Sequence, residues 1–461
     1  MPRNLPSDAR MASSRLNVRE EALGLLLNIV CGRDDAVPLP VLLSHLSSCK
    51  GLSSIQEAFL SELTYGVLRL YSLLDLCAVL HIARPGKLSS MMRMLLRIAV
   101  FELLFMERIP SRATVDECVS IAKRRFGQRA AGFCNAVLRR ISQEAYRLTD
   151  GIHERVGHLC GSSTSEDIAL CGSIPPWLAE RWSSHYGQAV AASIARGLIH
   201  APRPCWRVNT ARSGWNRLMA ECLSLGCERC APHGFFAPFT GKMPADMQEA
   251  LWVRLHALEA SGAVSRQGKP SQIIASDVAG RMIRFRSGHA GIWDCCCGRG
   301  GKTAALMEQG VRVILASDPS SFRLEELQKQ FCRLDIPCPS VLRNAAQEIT
   351  GRSFDAVFVD APCSGTGTLA RNPELKFRLS PEKIKAVSTV QKAILDSIWH
   401  SLLPGGMVFY STCALDSSEN ELQVRRFASL HPGASIESMR TYLPDSPGQD
   451  SLFLAVVRKD A

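Results

Sequence analysis

No apolar run in these 461 residues approaches the roughly 20 needed to cross a bilayer. The nearest candidate, Met91 to Met106, is interrupted by Arg93, Arg97 and Glu102 and reads as an amphipathic core helix. Low-complexity tracts are also missing, which excludes a fibrous or largely disordered chain. The opening Met-Pro-Arg-Asn-Leu-Pro-Ser-Asp has no apolar h-region, so it does not read as a signal peptide. Residues 1–12 are expected to be a disordered lead, with Met11 an alternative start. The expected setting is cytoplasmic, without a membrane partner.

What is there points to a folded, multidomain protein. The composition is 46% hydrophobic and 21% charged, and the length exceeds what one ordinary core serves. Cysteine is abundant, at 18 residues. Without an export signal these thiols are expected to be reduced, most of them acting as small buried hydrophobes. A net charge of +11 favours a polyanionic partner, and nucleic acid is the usual one.

Residues 13–147 read as all-helical, with breakers at Gly32-Arg33-Asp34-Asp35, Lys50-Gly51, Pro85-Gly86 and Ile109-Pro110. Basic positions Arg124, Arg125, Arg139 and Arg140 are either a solvated helix face or contacts for RNA phosphates. The run from Ile109 to Lys123, followed by Gly132-Phe-Cys-Asn-Ala-Val-Leu-Arg-Arg140, resembles the NusB family of small helical RNA-binding domains. A mixed α+β segment over 165–268 contains Trp206-Arg207-Val208-Asn209-Thr210. It resembles the module preceding the catalytic domain in cytosine-5 rRNA methyltransferases, and that resemblance puts Arg207 on the RNA side.

Residues 269–461 alternate strands and helices. Gly291–Asp294, Val311–Ser317, Phe354–Asp360, Met407–Tyr410 and Asp450–Arg458 are expected strands, and a helix is expected to end at Pro404-Gly405-Gly406. A doubly wound sheet binds its ligand at the carboxyl ends of such strands. There the first strand opens into Asp294-Cys295-Cys296-Cys297-Gly298-Arg299-Gly300-Gly301-Lys302-Thr303. A phosphate-binding P-loop needs glycine where Cys296 stands, and a dinucleotide loop needs it where Thr303 stands. The paired glycines and Asp318, at the end of the next strand, suit a nucleoside gripped through its ribose.

This arrangement resembles the S-adenosylmethionine pocket of class I (Rossmann-like) methyltransferases, and the loop resembles that of the RNA cytosine-5 family. The resemblance implies cofactor contacts at Cys296, Cys297, Gly298, Arg299, Gly300, Gly301, Lys302, Asp318 and Asp360. Cys297-Gly298-Arg299 replace the usual Ala-Ala-Pro, and Asn344 stands where the family places an acid for the adenine edge. Arg299 is expected to point towards solvent.

Two further motifs follow strand ends: Asp360-Ala361-Pro362-Cys363-Ser364 and Thr412-Cys413, the latter leading into Ser418-Glu419-Asn420-Glu421. A thiolate adding to carbon 6 of cytosine makes carbon 5 nucleophilic, which is covalent catalysis. A carboxyl group at N3 offsets the charge that develops. By resemblance Cys413 is the nucleophile, Cys363 assists product release and Asp360 prepares the base, while Lys376 contacts the RNA backbone. The whole resembles cytosine-5 methyltransferases of small-subunit rRNA that carry a NusB-like front, whose target is conventionally cytosine 967. The implied partner is 16S rRNA or a small-subunit assembly intermediate, met by a monomer. A tRNA or another rRNA site, or a non-catalytic RNA-binding assembly factor, are the alternatives. Cys222, Cys227, Cys230 and His233 show a compressed metal-like spacing, but no metal site is expected.

Overall fold

The computed structural model describes residues 17–32, 37–238, 244–285, 291–344 and 351–461. The expected lead over 1–12, Met11 included, lies outside the described residues. The chain divides into two compact units, Met1–His158 and Leu159–Ala461.

The first unit is helical throughout its described residues: α1 (Val18–Cys31), α2 (Leu39–Lys50), α3 (Ser54–Arg69), α4 (Tyr71–Val79), α5 (Ser90–Phe105), α6 (Ser111–Phe126), α7 (Gln128–Gln143) and α8 (Ala145–Gly157). The centre is α5, the amphipathic Met91–Met106 stretch, with Leu95, Leu96, Ile98, Ala99 and Val100 fully buried. Two of its charged residues, Arg97 and Glu102, are buried as well, and each is paired. Arg97 bonds Asp75 at 2.8 Å and lies over the Tyr71 ring, while Glu102 takes Arg19 at 2.7 Å and the Thr114 hydroxyl at 3.0 Å. Gly66 of α3 is required here, because a Cβ would fall 2.0 Å from the Phe101 ring of α5. The unit extends past the expected limit at 147, because α8 buries Leu148, Ile152 and Val156 on one face.

The second unit begins with α9 (Ser165–Gly172), whose N-cap Thr164 and Asp167 form a capping box. After α10 (Pro176–Tyr186) and α11 (Gln188–Leu198) comes an antiparallel sheet of β1 (Cys205–Val208), β2 (Glu228–Ala231), β3 (Gly234–Phe236) and β4 (Val264–Arg266), in the order β2-β3-β1-β4. Helices α12 (Trp215–Ser224) and α13 (Ala245–Ala260) cover a core around Trp206, Phe235 and Leu255.

The larger sheet follows α14 (Lys269–Arg284) and has seven strands: β5 (Ile292–Asp294), β6 (Val313–Ser317), β7 (Ser340–Leu342), β8 (Phe354–Asp360), β9 (Leu402–Thr412), β10 (Ala434–Tyr442) and β11 (Leu452–Lys459). Their order is β10-β11-β9-β8-β5-β6-β7; β5 to β9 run parallel, β11 runs antiparallel to them, and β10, antiparallel to β11, runs in their direction again. Helices α15 (Gly301–Glu308), α16 (Ser321–Leu334), α17 (Pro381–Ile398) and α18 (Glu421–Leu430) connect the strands. Apolar cores made by the alternate faces of β5, β8, β9 and β11 lie on either side. This is a Rossmann-like α/β sheet. The chain passes in opposite directions from β5, so the ends of β5, β6, β8 and β9 open onto one crevice.

Candidate active site

The loop after β5 turns directly into α15. Gly298 (φ +53°) and Gly300 (φ +78°) adopt left-handed backbone. A Cβ on Gly300 would strike Leu327 of α16 at 2.7 Å, whereas Gly298 and Gly301 have open space on that side. Asp318, just past β6, accepts from the amides of Gly298 at 3.2 Å and Ser320 at 2.9 Å. Its own amide bonds Leu342 O of β7, which brings the chain leading to Asn344 alongside. Below the loop, buried Asp294 accepts the Thr303 hydroxyl at 2.6 Å; burial pushes its carboxyl up to about 7.

Two of the loop's side chains face away from this crevice. The Cys297 thiol is buried among Ala304, Ala316, Leu324 and Leu327, and its amide is spent on Ser317 O, so Cys297 offers a ligand neither group. Arg299 is exposed, as expected, and lies over the Phe322 ring at 5.5 Å. Cys296 is half-buried against the sheet core.

Across the crevice, β8 and β9 deliver the two cysteines side by side. Cys363 Sγ lies 3.0 Å from Cys413 Sγ and also accepts the Cys413 amide at 3.3 Å. The Lys302 ammonium bonds Asp360 Oδ2 at 2.6 Å. Burial works against that ammonium, but Asp360 and both thiols outweigh it and hold the Lys302 pKa above the ordinary lysine value. The Cys363 thiol is pushed well above the usual range, first by the hydrogen bond it shares with Cys413 and then by burial. A proton shared between two sulfurs beside a fixed cation is a way to hold one thiolate ready.

The backbone stitches these loops together. Cys413 O accepts the Gly367 amide at 2.8 Å, and Gly367 O accepts the Ser451 amide at 2.7 Å. Any side chain at Gly367 would break this, its Cβ falling 2.4 Å from Ser451 O.

Arg207 and Lys376 do not lie on an RNA-facing surface. Arg207 is buried and grips both oxygens of Glu308, at 2.6 and 2.8 Å, with Gln267 on its third nitrogen at 2.7 Å. It ties β1 to the end of α15; Thr210 and Asn209 continue the seam through Glu308 O and Leu334 O. Lys376 is 3% exposed and donates to Gly172 O at the end of α9. In the helical unit Arg124 and Arg125 are exposed but share Glu20, at 3.0 and 2.6 Å. Arg139 and Arg140 are exposed on α7, Arg139 bonding Asn135 one turn back. Cys222 and Cys227 lie in the core of the small sheet, and Cys230 stands 3.3 Å from Cys205. Among the described residues no cluster of three or more metal-ligating side chains forms.

Glu419 and Asn420, quoted in the sequence without a role, prove central to the site's framework. Both are fully buried and bonded to the residues that flank the cysteines. The only sequence signal was an unbroken polar run just past an apolar strand.

A glycine loop, a ribose-side acid and strand-end residues on this sheet define a Rossmann-like methyltransferase. Residues 285–458 match the family described as 16S rRNA methyltransferase RsmB/F, and residues 17–143 match the NusB family. The chain therefore carries a segment similar to the NusB family ahead of one similar to the RsmB/F methyltransferases. It is 29% identical to the ribosomal RNA small subunit methyltransferase B of Vibrio cholerae, over 95% of this chain and 99% of that one. The protein of the same name from Pseudomonas putida is also 29% identical, over 81% of each. Among solved structures, PH0851 superposes with a TM-score of 0.67 at 20% identity, covering 97% of this chain and 100% of its own. NSun6 from Pyrococcus horikoshii, solved with SFG, gives 0.51 at 19% identity over 61% and 97% of the two chains. At those identities the structural likeness speaks for the fold alone.

Proposed function

We propose that this protein transfers a methyl group from S-adenosylmethionine to carbon 5 of a cytosine in small-subunit rRNA, through a covalent bond to Cys413. The observation that carries the reading is the pair of thiols 3.0 Å apart beside the Lys302–Asp360 ion pair. The names of its relatives favour 16S rRNA as substrate, cytosine 967 being the position implied by resemblance. The protein is proposed to act as a cytoplasmic monomer, and no helix of the described residues is long and apolar enough to cross a membrane.

The cofactor crevice fits this donor. Open backbone at Gly298 and Gly301 admits a flat nucleoside, and Asp318 stands at the strand end where ribose hydroxyls are held. Asn344 presents an amide for an adenine edge. When bound, S-adenosylmethionine supplies an activated methyl group on its sulfonium.

The Lys302 ammonium, bonded to Asp360, is the cation that stands near the two sulfurs. The Cys413 thiolate adds to carbon 6, and the negative charge passing into the ring towards N3 is offset by the proton that Asp360 shares with the Lys302 ammonium. Carbon 5 then takes the methyl group. At that stage Cys413 is a neutral thioether, so the shared hydrogen bond that raised Cys363 is gone and Cys363 releases its proton to solvent more readily. The resulting Cys363 thiolate removes the carbon 5 proton, the double bond re-forms, and the Sγ–carbon 6 electron pair returns to Cys413. Both sulfurs end as they began, with one proton released per methyl group.

Cys413→Ala is expected to cut methyl transfer by about a thousandfold or more while leaving cofactor binding by calorimetry unchanged. Cys363→Ala is expected to accumulate an RNA–protein adduct on denaturing gels. Bisulfite sequencing of rRNA from cells lacking the protein should lose one methylcytosine signal. A Cys413→Ala enzyme with normal turnover would falsify the assignment, and failure to bind the cofactor would leave an assembly factor instead.

A further inference from the structure

The two residues Glu419 and Asn420 are consecutive and fully buried, and each bonds residues that flank a different cysteine. The Glu419 carboxylate accepts the Ser364 amide at 2.8 Å and the Ser364 hydroxyl at 2.5 Å. It also accepts from Gln391 Nε2 at 3.1 Å, and that nitrogen donates at 2.9 Å to Pro362 O. The residues on both sides of Cys363 are therefore held, one directly and one through Gln391.

Asn420 does the same for Cys413. Its Oδ1 accepts the Thr412 hydroxyl at 2.5 Å and its Nδ2 donates to Ala414 O at 3.0 Å. The Tyr410 hydroxyl donates to Glu419 O at 2.7 Å and anchors the dipeptide to β9. Neither side chain touches a sulfur in these bonds, and neither faces the crevice.

We propose that Glu419-Asn420 is a two-armed splint, a pair of positioning residues that sets the separation of the Cys363 and Cys413 sulfurs and thereby the resolution of the covalent adduct. The inference rests on the thiol reading above for its consequence in catalysis, but not for its geometry. Each arm is specific in chemistry. Glu419 accepts from three groups, of which only the Ser364 hydroxyl can reverse its role, so Glu419→Gln forces that reversal or turns an NH2 group towards an N–H donor. Asn420 needs one acceptor and one donor, so Asn420→Asp would set a carboxylate oxygen against Ala414 O. Burial raises the Glu419 carboxyl pKa, and Ser364 and Gln391 oppose that shift by bonding the ionised form.

The test needs a readout of sulfur proximity that is independent of turnover. Treating the full-length protein with a diazene oxidant joins two thiols as a disulfide, the reagent taking up both hydrogens. Peptide mapping then follows the Cys363–Cys413 bond among the other cysteines. The wild-type pair is expected to close rapidly, whereas Glu419→Gln and Asn420→Asp should close at least about tenfold more slowly. In single-turnover assays the same variants should lose about tenfold or more in kcat, hold KM for RNA within about twofold, and accumulate adduct. Ser364→Ala, which removes one bond at a half-buried site, should give a smaller change in the same direction and guards against misfolding of the buried variants. Variants that close the disulfide and turn over at wild-type rates would sink the splint. Slowed closure in a protein whose wild type makes no methylcytosine would uphold the splint and overturn the reaction.

Discussion

Asp294 sits beneath the cofactor loop, bonded to Thr303 and removed from water. Its carboxyl titrates at about 7 in the folded chain, against 3.8 for the ordinary group, with burial the largest cause. Between those values the folded state holds the extra proton, so this group's contribution to stability declines as pH rises from about 4 to about 7. Asp294→Asn should flatten that part of the melting-temperature profile; an unchanged slope would show that the carboxyl is ionised throughout. At this scale the sequence was legible wherever chemistry is local. Asp360 ends β8, Cys363 and Cys413 follow the ends of β8 and β9, Lys302 lies in the first turn of α15, and the fold brings them together. Arg207 and Lys376 were not legible, because a cation in a motif reads alike whether its carboxylate partner is absent or lies 101 residues on, as Glu308 does from Arg207.

The Arg207–Glu308 pair belongs to the scale of elements, since it fastens β1 to α15. Both side chains are almost completely buried, with exposures of 3% and 1%. Removing one partner strands the other charge, so Glu308→Ala is expected to cost about 3–5 kcal/mol in denaturant unfolding. Replacing both residues with apolar ones of similar volume should recover most of that loss; a single variant as stable as wild type would mean the pair is not desolvated. Strands buried on both faces were plain as apolar runs, and β5, β6 and β8 lie where expected. The edges were not plain. Strand β10 is half-exposed, with no continuous apolar run, and β7 is only three residues long. Nor does a helix end at Pro404-Gly405-Gly406: α17 stops at Ile398, and β9 runs through those residues, Gly405 adopting φ +73°.

At the scale of the whole molecule the +11 charge is the property most directly open to measurement. Arg139 and Arg140 are exposed, and no carboxylate among the described residues pairs with either, whereas Arg124 and Arg125 already share Glu20. Substituting the first pair by alanine should lower the salt slope of RNA binding by about 1–2, at 0.7–0.9 per phosphate contact. Substituting the second pair should lower it less. Equal slopes in all three proteins would remove this face from the interface. The division into a helical and a mixed unit was readable from the change in hydrophobic period, but its border was not. Helix α8 carries the first unit to His158, since its apolar stripe needs a core that only the folded unit supplies.

The backbone seam from Cys413 through Gly367 to Ser451 depends on β11, which inserts between β9 and β10. A ribosome delivers residues in order, so Cys363 and Cys413 emerge well before the strand that locks their loops. A nascent chain lacking residues 451–459 would thus carry all its reactive groups and no assembled site. Competence arrives at one moment, when the gap between β9 and β10 is filled, rather than growing with chain length.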